Sequence, residues 1–572
     1  MLTRRELLAR SVQAGTAGLV GRVSVDELSA RVAQTTDGRP LAPAFEALDA
    51  FVDTYLRTMD APGLTLALAD RGGVLRVTTY GFSDRERRAA VHRDQLFEIG
   101  SITKSFVAFA ILQLVDEGRL DLHRPVAELM PWLKVESRFA PITLHHLLTH
   151  TSGLPPALSF RLSDPAAKLR VRYAPGEHFV YCNLGFEALG FLLSQVERQP
   201  FAAVIRSRIL QPLGMMATDP IISGDTRLRE TRSYNPWLDD RPFAVGSALK
   251  PAPPLVMDSA AGCIASSAAD MGRYVRMIAS GGAVDGRRLI SERSFALMTS
   301  PHIKAEEFGP GASYGYGLAI DRLDGRKRAR HTGGMVSFAS ALQVDLERGV
   351  GAFASINAMQ GFRPNPVAEY GISVVGAAAR GEPLPSAPAV ASPATVTNAG
   401  DFAGTFTAPD GAAMRFVAEG PSLFYVDGSK KVPVDSVGES LVIRDPGLGL
   451  WALNFQRKDG PSTPVTDLIH GSRWYAGDRY TGSREFTYPP AWKAFVGHYH
   501  NDSPWHGSIR VVQAKGALWL DGVMPLAADG NEAFWLNDPP YNPARLEFLT
   551  PIDGQCTLAK LSGVDFWRVA AD

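Results

Sequence analysis

The sequence predicts a mixed α/β domain of the α+β kind, an antiparallel sheet flanked by helices, followed by two copies of a small all-β module. Three observations carry that prediction. Strand-like runs come in pairs near both ends of residues 43–380 with helical segments between them, a stretch almost free of charge interrupts the pattern, and everything beyond it is strand-like and repeats. The length agrees, because 572 residues exceed what one hydrophobic core organises.

The chain opens with Thr3-Arg4-Arg5-Glu6-Leu7-Leu8 and a mildly apolar stretch over 11–20. This resembles a twin-arginine export signal, so residues 1–35 are expected to be a leader and the mature protein periplasmic or secreted. The stretch is too short and polar for a bilayer, which needs roughly 18 apolar residues, and no other run approaches that length. Stable membrane insertion is therefore not expected. Residues 64–69 and 74–79 are β-like and joined by Asp70-Arg71-Gly72-Gly73, a hairpin signal. Residues 105–114 are apolar and helix-forming and end at Asp116-Glu117-Gly118, so the segment from Ser101 onward reads as a buried helix. A second hairpin is expected over 338–345 and 350–356, around Glu347-Arg348-Gly349, and a helix over 365–379. Sheet and helices together define the first domain, 43–380.

Residues 381–399 are mostly Pro, Ala, Ser and Thr and read as a linker, since such a composition cannot bury a core. Beyond it, Phe402-Ala403-Gly404-Thr405-Phe406 recurs as Phe495-Val496-Gly497-His498-Tyr499, and Leu423-Phe424-Tyr425-Val426-Asp427-Gly428 as Ala517-Leu518-Trp519-Leu520-Asp521-Gly522. Gly471 with Trp474 aligns with Gly563 and Phe566, and all three pairs are spaced by 92 to 94 residues. Two modules follow, 400–487 and 488–572, each long enough for a small closed, lipocalin-like barrel. Trp505, Trp519, Trp535 and Tyr541 exceed what two small cores need and suggest a contact surface.

Lys+Arg and Asp+Glu balance at 59 each, so no sustained field collects nucleic acid. The three cysteines, Cys182, Cys263 and Cys556, have neither disulfide-framework nor zinc spacing. The chemistry is elsewhere. Gly100-Ser101-Ile102-Thr103-Lys104 puts a lysine three residues after a serine, on the same helical face. A serine hydroxyl is a weak nucleophile that needs a base, and a buried amine with a lowered pKa supplies one. Helix-start amides, including that of Ser101, face a developing oxyanion. Tyr181-Cys182-Asn183 and His331-Thr332-Gly333-Gly334 follow in order.

With these three motifs the chain resembles class C β-lactamases, serine D-Ala-D-Ala carboxypeptidases, D-aminopeptidases and related esterases. The resemblance covers roughly residues 45 to 380 and includes Leu147-Leu148-Thr149-His150-Thr151-Ser152-Gly153-Leu154, Pro175-Gly176 and Tyr314-Gly315-Tyr316-Gly317. It implies a β-lactamase/transpeptidase-like fold and a serine hydrolase working through an acyl-enzyme without cofactor or metal. Ser101 would be the acylated nucleophile, and Lys104 and Tyr181 would shuttle its proton. Asn183, His331, Thr332 and Gly333 would bind substrate, and the amides of Ser101 and Gly334 would form the oxyanion hole. Histidine at 331, where β-lactamases of this class carry lysine, resembles the carboxypeptidase, D-aminopeptidase and esterase branches. The expected substrate is a small peptide, amide or ester, in D-aminopeptidase- or carboxypeptidase-like fashion. The alternatives are an esterase or weak β-lactamase of the same fold and, in another class, a non-hydrolytic penicillin-binding or cell-wall-binding protein.

Competing patterns read as structural. His146 and His150 lack an acidic third ligand in phase. Gly311-Ala312-Ser313-Tyr314-Gly315 matches G-x-S-x-G without the strand before and helix after that a nucleophile elbow needs. Cys182, in extended chain between two site residues, should point away from them.

Overall fold

Both predicted hairpins form, and they pair with each other. In this computed structural model, which describes residues 40–569 apart from 157–168, 239, 244–245, 360, 438–439, 459 and 461, β1 (Gly63–Asp70) and β2 (Val74–Asp84) make the first hairpin. The leader expected at 1–35 lies outside the described residues. Numbering by chain order, β3 is Ala89–Ala90, and the later strands are β4 (Ile303–Lys304), β5 (Ser313–Tyr314), β6 (Ala319–Leu323), β7 (Arg326–Gly334), β8 (Ala339–Asp345) and β9 (Val350–Ile356). They form one nine-stranded sheet in the order β4-β5-β6-β7-β8-β9-β1-β2-β3. The registers Leu64↔Ile356 and Asp70↔Val350 join the start of the domain to its end, antiparallel throughout.

Every position of β1, β8 and β9 is buried. That is the mark of strands covered on both faces, because successive side chains point to opposite sides. On one side Leu64, Leu66, Leu68, Ala352 and Ala354 pack under α1 (Ala42–Met59) and a helix spanning Asn365–Arg380. On the other, Ala67, Ala69, Leu342 and Phe353 pack under helices Thr103–Asp116 and Ala268–Ala279. The Thr103–Asp116 helix is apolar nearly all round and buries residues on every face, as a central helix must. Its first turn is preceded by a 3-10 turn at Gly100–Ile102, so Ser101 sits just ahead of the α-helix rather than within it.

The C-terminal half forms two closed eight-stranded barrels, over Gly404–Ala476 and Gly497–Arg568. The repeated motifs occupy equivalent strands: Gly404–Thr407 and Gly497–His500 are first, Ser422–Asp427 and Ala517–Leu520 third, Arg473–Ala476 and Val564–Arg568 last. Each barrel has its own core, around Phe406, Phe416 and Leu468 in the first and Phe495, Phe534 and Phe548 in the second. Ile469 and Trp474 of the first meet Val512 and Trp519 of the second in a shared apolar cluster. Trp505 of the second barrel packs against a cluster of the sheet domain that contains Phe97, Met335 and Phe338.

Candidate active site

The 3-10 turn carrying Ser101 is pressed against the end of β7, and glycine makes the contact possible. A Cβ on Gly333 would stand 1.9 Å from the Ile99 carbonyl oxygen, and one on Gly100, whose φ is +54°, would stand 2.8 Å from the nitrogen and oxygen of Gly334. No other residue fits at either position without parting strand and turn. The approach sets the amide of Gly334 beside the Ser101 turn, where two backbone N–H groups are able to converge on one oxygen.

Lys104 is completely buried and donates three hydrogen bonds: to Ser101 Oγ at 3.0 Å, Asn183 Oδ1 at 2.7 Å and the Ala261 carbonyl at 2.7 Å. Burial lowers its pKa to about 7, against the opposing pull of Glu187. An amine in this state is available as a base at neutral pH. Its Nζ also lies 4.8 Å from the centre of the Tyr181 ring. The Tyr181 hydroxyl is buried without a full hydrogen bond, and burial pushes its pKa far up, with Ser101 pulling the other way. It stays a phenol near neutrality.

Asn183 opens the helix Asn183–Glu197, so its side chain and that of Glu187, one turn on, share a face toward Lys104. Asn183 Oδ1 is engaged by the lysine, which leaves its amide N–H groups as donors. His331 is 1% exposed. Its Nδ1 meets the Thr332 carbonyl at 2.6 Å, which makes Nδ1 the protonated nitrogen, and Nε2 then accepts the Tyr314 hydroxyl at 2.9 Å. Burial first, then the nearby Lys104, lowers its pKa to about 3. His331 therefore bears no charge near neutrality and lies behind Tyr181, at 6.2 Å between rings. Thr332, on the opposite side of β7, is half-buried.

The competing patterns have other work. His146 Nδ1 accepts the Thr143 amide in a capping box of the helix Leu144–Leu148. His150 Nδ1 accepts the Cys182 amide at 3.0 Å, bracing the segment that presents Tyr181. Cys182 is buried and directs its sulfur to the Pro155 carbonyl. Ser313 lies on β5 and, among the described residues, no lysine is bonded to it.

Several groups at the site carry weaker sequence signals. Glu187 is recognisable only as the i+4 partner of Asn183, and Ser259, Ala260 and Ala261 arrive from a loop with no pattern of its own. Glu307 stands on the turn Glu306–Phe308, which seats the Phe308 ring 6.1 Å from Tyr181 and 5.6 Å from His331. Burial raises the pKa of both Tyr181 and Tyr314, and Glu307 adds to the rise in each. The second barrel reaches the same rim: Tyr541 stacks on His178 at 3.9 Å, Trp535 lies 4.2 Å from the Arg172 guanidinium, and Arg172 donates to the Pro540 carbonyl. Residues 172–178 lead directly into Tyr181.

The family described as Beta-lactamase matches this chain over residues 48–377. Protein Rv1367c of Mycobacterium tuberculosis is 28% identical over 303 residues, 45% of this chain and 74% of that protein. Esterase EstB of Burkholderia gladioli is 32% identical over 194 residues, 29% of this chain and 49% of the esterase. The octameric penicillin-binding protein homologue from Pyrococcus abyssi superimposes with a TM-score of 0.54 at 23% identity, covering 75% of this chain and 99% of that chain, a likeness of fold.

Proposed function

The chain belongs to the Beta-lactamase family, and from that premise we propose that it hydrolyses an ester, amide or peptide carbonyl through an acyl-enzyme on Ser101. The observation that carries this reading is the buried Lys104, 3.0 Å from Ser101 Oγ and poised near pKa 7. As Ser101 Oγ bonds to the carbonyl carbon, its proton passes to the neutral Lys104 amine, and the carbonyl π pair moves onto oxygen between the amides of Ser101 and Gly334. Collapse breaks the bond to the leaving alcohol or amine, which takes up a proton through the Tyr181 phenol and Lys104. Water, losing its proton to the same amine, then attacks the acyl carbon and releases the acid and Ser101. Asn183 orients the substrate through its amide.

Within this class the reading favoured is D-aminopeptidase-like. Glu307 stands on the turn that seats Phe308 6.1 Å from the Tyr181 ring, and a carboxylate on that turn suits a substrate ammonium, whereas His331 is neutral and offers nothing to a substrate carboxylate. Steady release of p-nitrophenol from short acyl esters, abolished in Ser101→Ala, is the expected result, with a fluorophosphonate adduct on the Ser101 peptide. A single stoichiometric burst would favour a penicillin-binding receptor instead, and an adduct elsewhere would remove Ser101 from the mechanism. Glu307→Gln should raise KM for D-amino-acid amides at least about tenfold, the value of one lost charge pair, and leave neutral esters unchanged. Export to the periplasm, which the paired arginines suggest, is tested by following a fusion of residues 1–40 to a reporter.

A further inference from the structure

The carboxylate of Glu187 is mostly buried and has no catalytic assignment, yet it grips the loop that also holds Lys104. Ser259 Oγ donates to it, and the amides of Ala260 and Ala261 add to the groups that favour its charged form. On the far side of the same residue, the Ala261 carbonyl accepts Lys104 Nζ at 2.7 Å. Asn183 and Glu187 are one helical turn apart, so carboxamide and carboxylate are delivered by one rigid face, the first directly onto the lysine and the second onto the loop behind it. The serine, the loop and the helix thus converge on a single ammonium.

We propose that Glu187 is a positioning residue that fixes the Ala261 carbonyl against Lys104 and, as the buried counter-charge, sets the pH at which that lysine becomes a base. The inference rests on the role given above to Lys104. Among the described residues, the titratable groups that face this pair are Tyr181, Cys182 and His150 from the segments beside the Asn183–Glu197 helix, His331 from β7 and Cys263 from the loop, while Asp258 of that loop acts on Cys263. The two histidines are neutral near pH 7 and the two thiols are held protonated by burial. Glu187 is accordingly the carboxylate whose attraction opposes the desolvation of Lys104. Burial raises its own pKa, but the Ser259 hydroxyl, Lys104 and the two amides pull the other way.

A negative charge favours the ammonium, so its removal lowers the Lys104 pKa and moves the acid limb of acylation to lower pH. In Glu187→Gln, which keeps size and an acceptor for Ser259, the midpoint of that limb should fall by about one pH unit, read as the rate of fluorophosphonate labelling of Ser101. The Lys104 titration, followed by NMR of 13C-labelled lysine, should shift equally. Glu187→Asp should restore the wild-type midpoint to within a few tenths of a unit. Should Glu187→Gln fail to fold, Glu187→Asp and Glu187→Asn, alike in size and different in charge, carry the same comparison. A midpoint unchanged between charged and neutral variants overturns the proposal and leaves Glu187 as a packing residue. A wild type that never acylates at Ser101 would instead overturn the hydrolytic reading, with the lysine titration still deciding the role of Glu187.

Discussion

Of the groups at the site whose ordinary titrations are displaced, Lys104 and His331 decide the pH profile. Lys104 is held to about 7 by burial, and His331 is held to about 3 by burial and by Lys104. On a neutral ester, kcat/KM should therefore rise through about pH 7 as Lys104 loses its proton, with no inflection from the histidine between pH 5 and 8. A profile that climbs near pH 6.5 in the wild type and flattens in His331→Gln would contradict this assignment. Lys104→Arg cannot deprotonate, and acylation should fall by at least about 100-fold, the ordinary contribution of a general base. The Tyr314 hydroxyl donates to His331 Nε2 in a fully buried place. Tyr314→Phe leaves that nitrogen without a partner and should cost about 1–3 kcal/mol of stability by denaturant unfolding.

Among the described glycines, Gly333, at the junction of β7 with the 3-10 turn, leaves the least room for a Cβ. Gly333→Ala would force a Cβ into the Ile99 carbonyl, which is backbone and has nowhere to go. The expected result is a folded protein with Ser101 labelling reduced by more than tenfold, or a loss of about 1–3 kcal/mol or more from overpacking. The helix Leu144–Leu148 carries a different liability. His145 lies within 5.7 Å, ring to ring, of His123, His146 and His302 and bonds the Tyr316 hydroxyl. Burial, then the other imidazoles, lowers its pKa to about 4. Since the unfolded chain binds this proton at about 6.5, the unfolded state holds more protons between those values, and stability falls as pH drops from 6.5 toward 4. His331 and His150 act in the same direction. Melting temperature should decline steadily over that range, and His145→Gln should make the decline shallower.

For the whole molecule the question is what the second barrel does at the rim of the site. Its Trp535, Pro540 and Tyr541 all touch residues 172–178, and Trp505 packs beside β7 and β8. A covalently tethered module faces a high effective concentration of its docking surface, so even a modest interface stays closed. A barrel seated on residues 172–178 is expected to restrict how large a substrate reaches Tyr181. Tyr541→Ala should raise acylation by a bulky β-lactam relative to a short ester by several-fold, without a change in Ser101 labelling by a small fluorophosphonate. Deletion of residues 400–572 should go further in the same direction, provided circular dichroism shows a folded remainder. An unchanged ratio in both would assign the barrels to stability or adhesion.

The local elements and the spacing of Ser101 and Lys104 are legible in neighbouring residues alone. The Asp70-Arg71-Gly72-Gly73 and Glu347-Arg348-Gly349 turns marked the hairpins, the apolar run after Ser101 marked its helix, and three recurring motifs marked the repeated modules, because turn chemistry, helical periodicity and repetition are written in neighbouring residues. Ser101 and Lys104 were readable for the same reason, being one helical turn apart. Tyr181, Asn183 and the His331-Thr332-Gly333-Gly334 run came from resemblance, and only the folded chain brings Asn183 to within 2.7 Å of Lys104. Whatever depends on burial or on contacts between distant segments emerges only on folding. The pairing of β1 with β9, the neutral state of His331, the Tyr314 donor behind it, the Ser259 to Ala261 loop and its Glu187, and the docking of Tyr541 on His178 all belong here. Their partners lie from 17 to 363 residues away in the chain, and a pKa set by desolvation exists only once the surrounding side chains have displaced water.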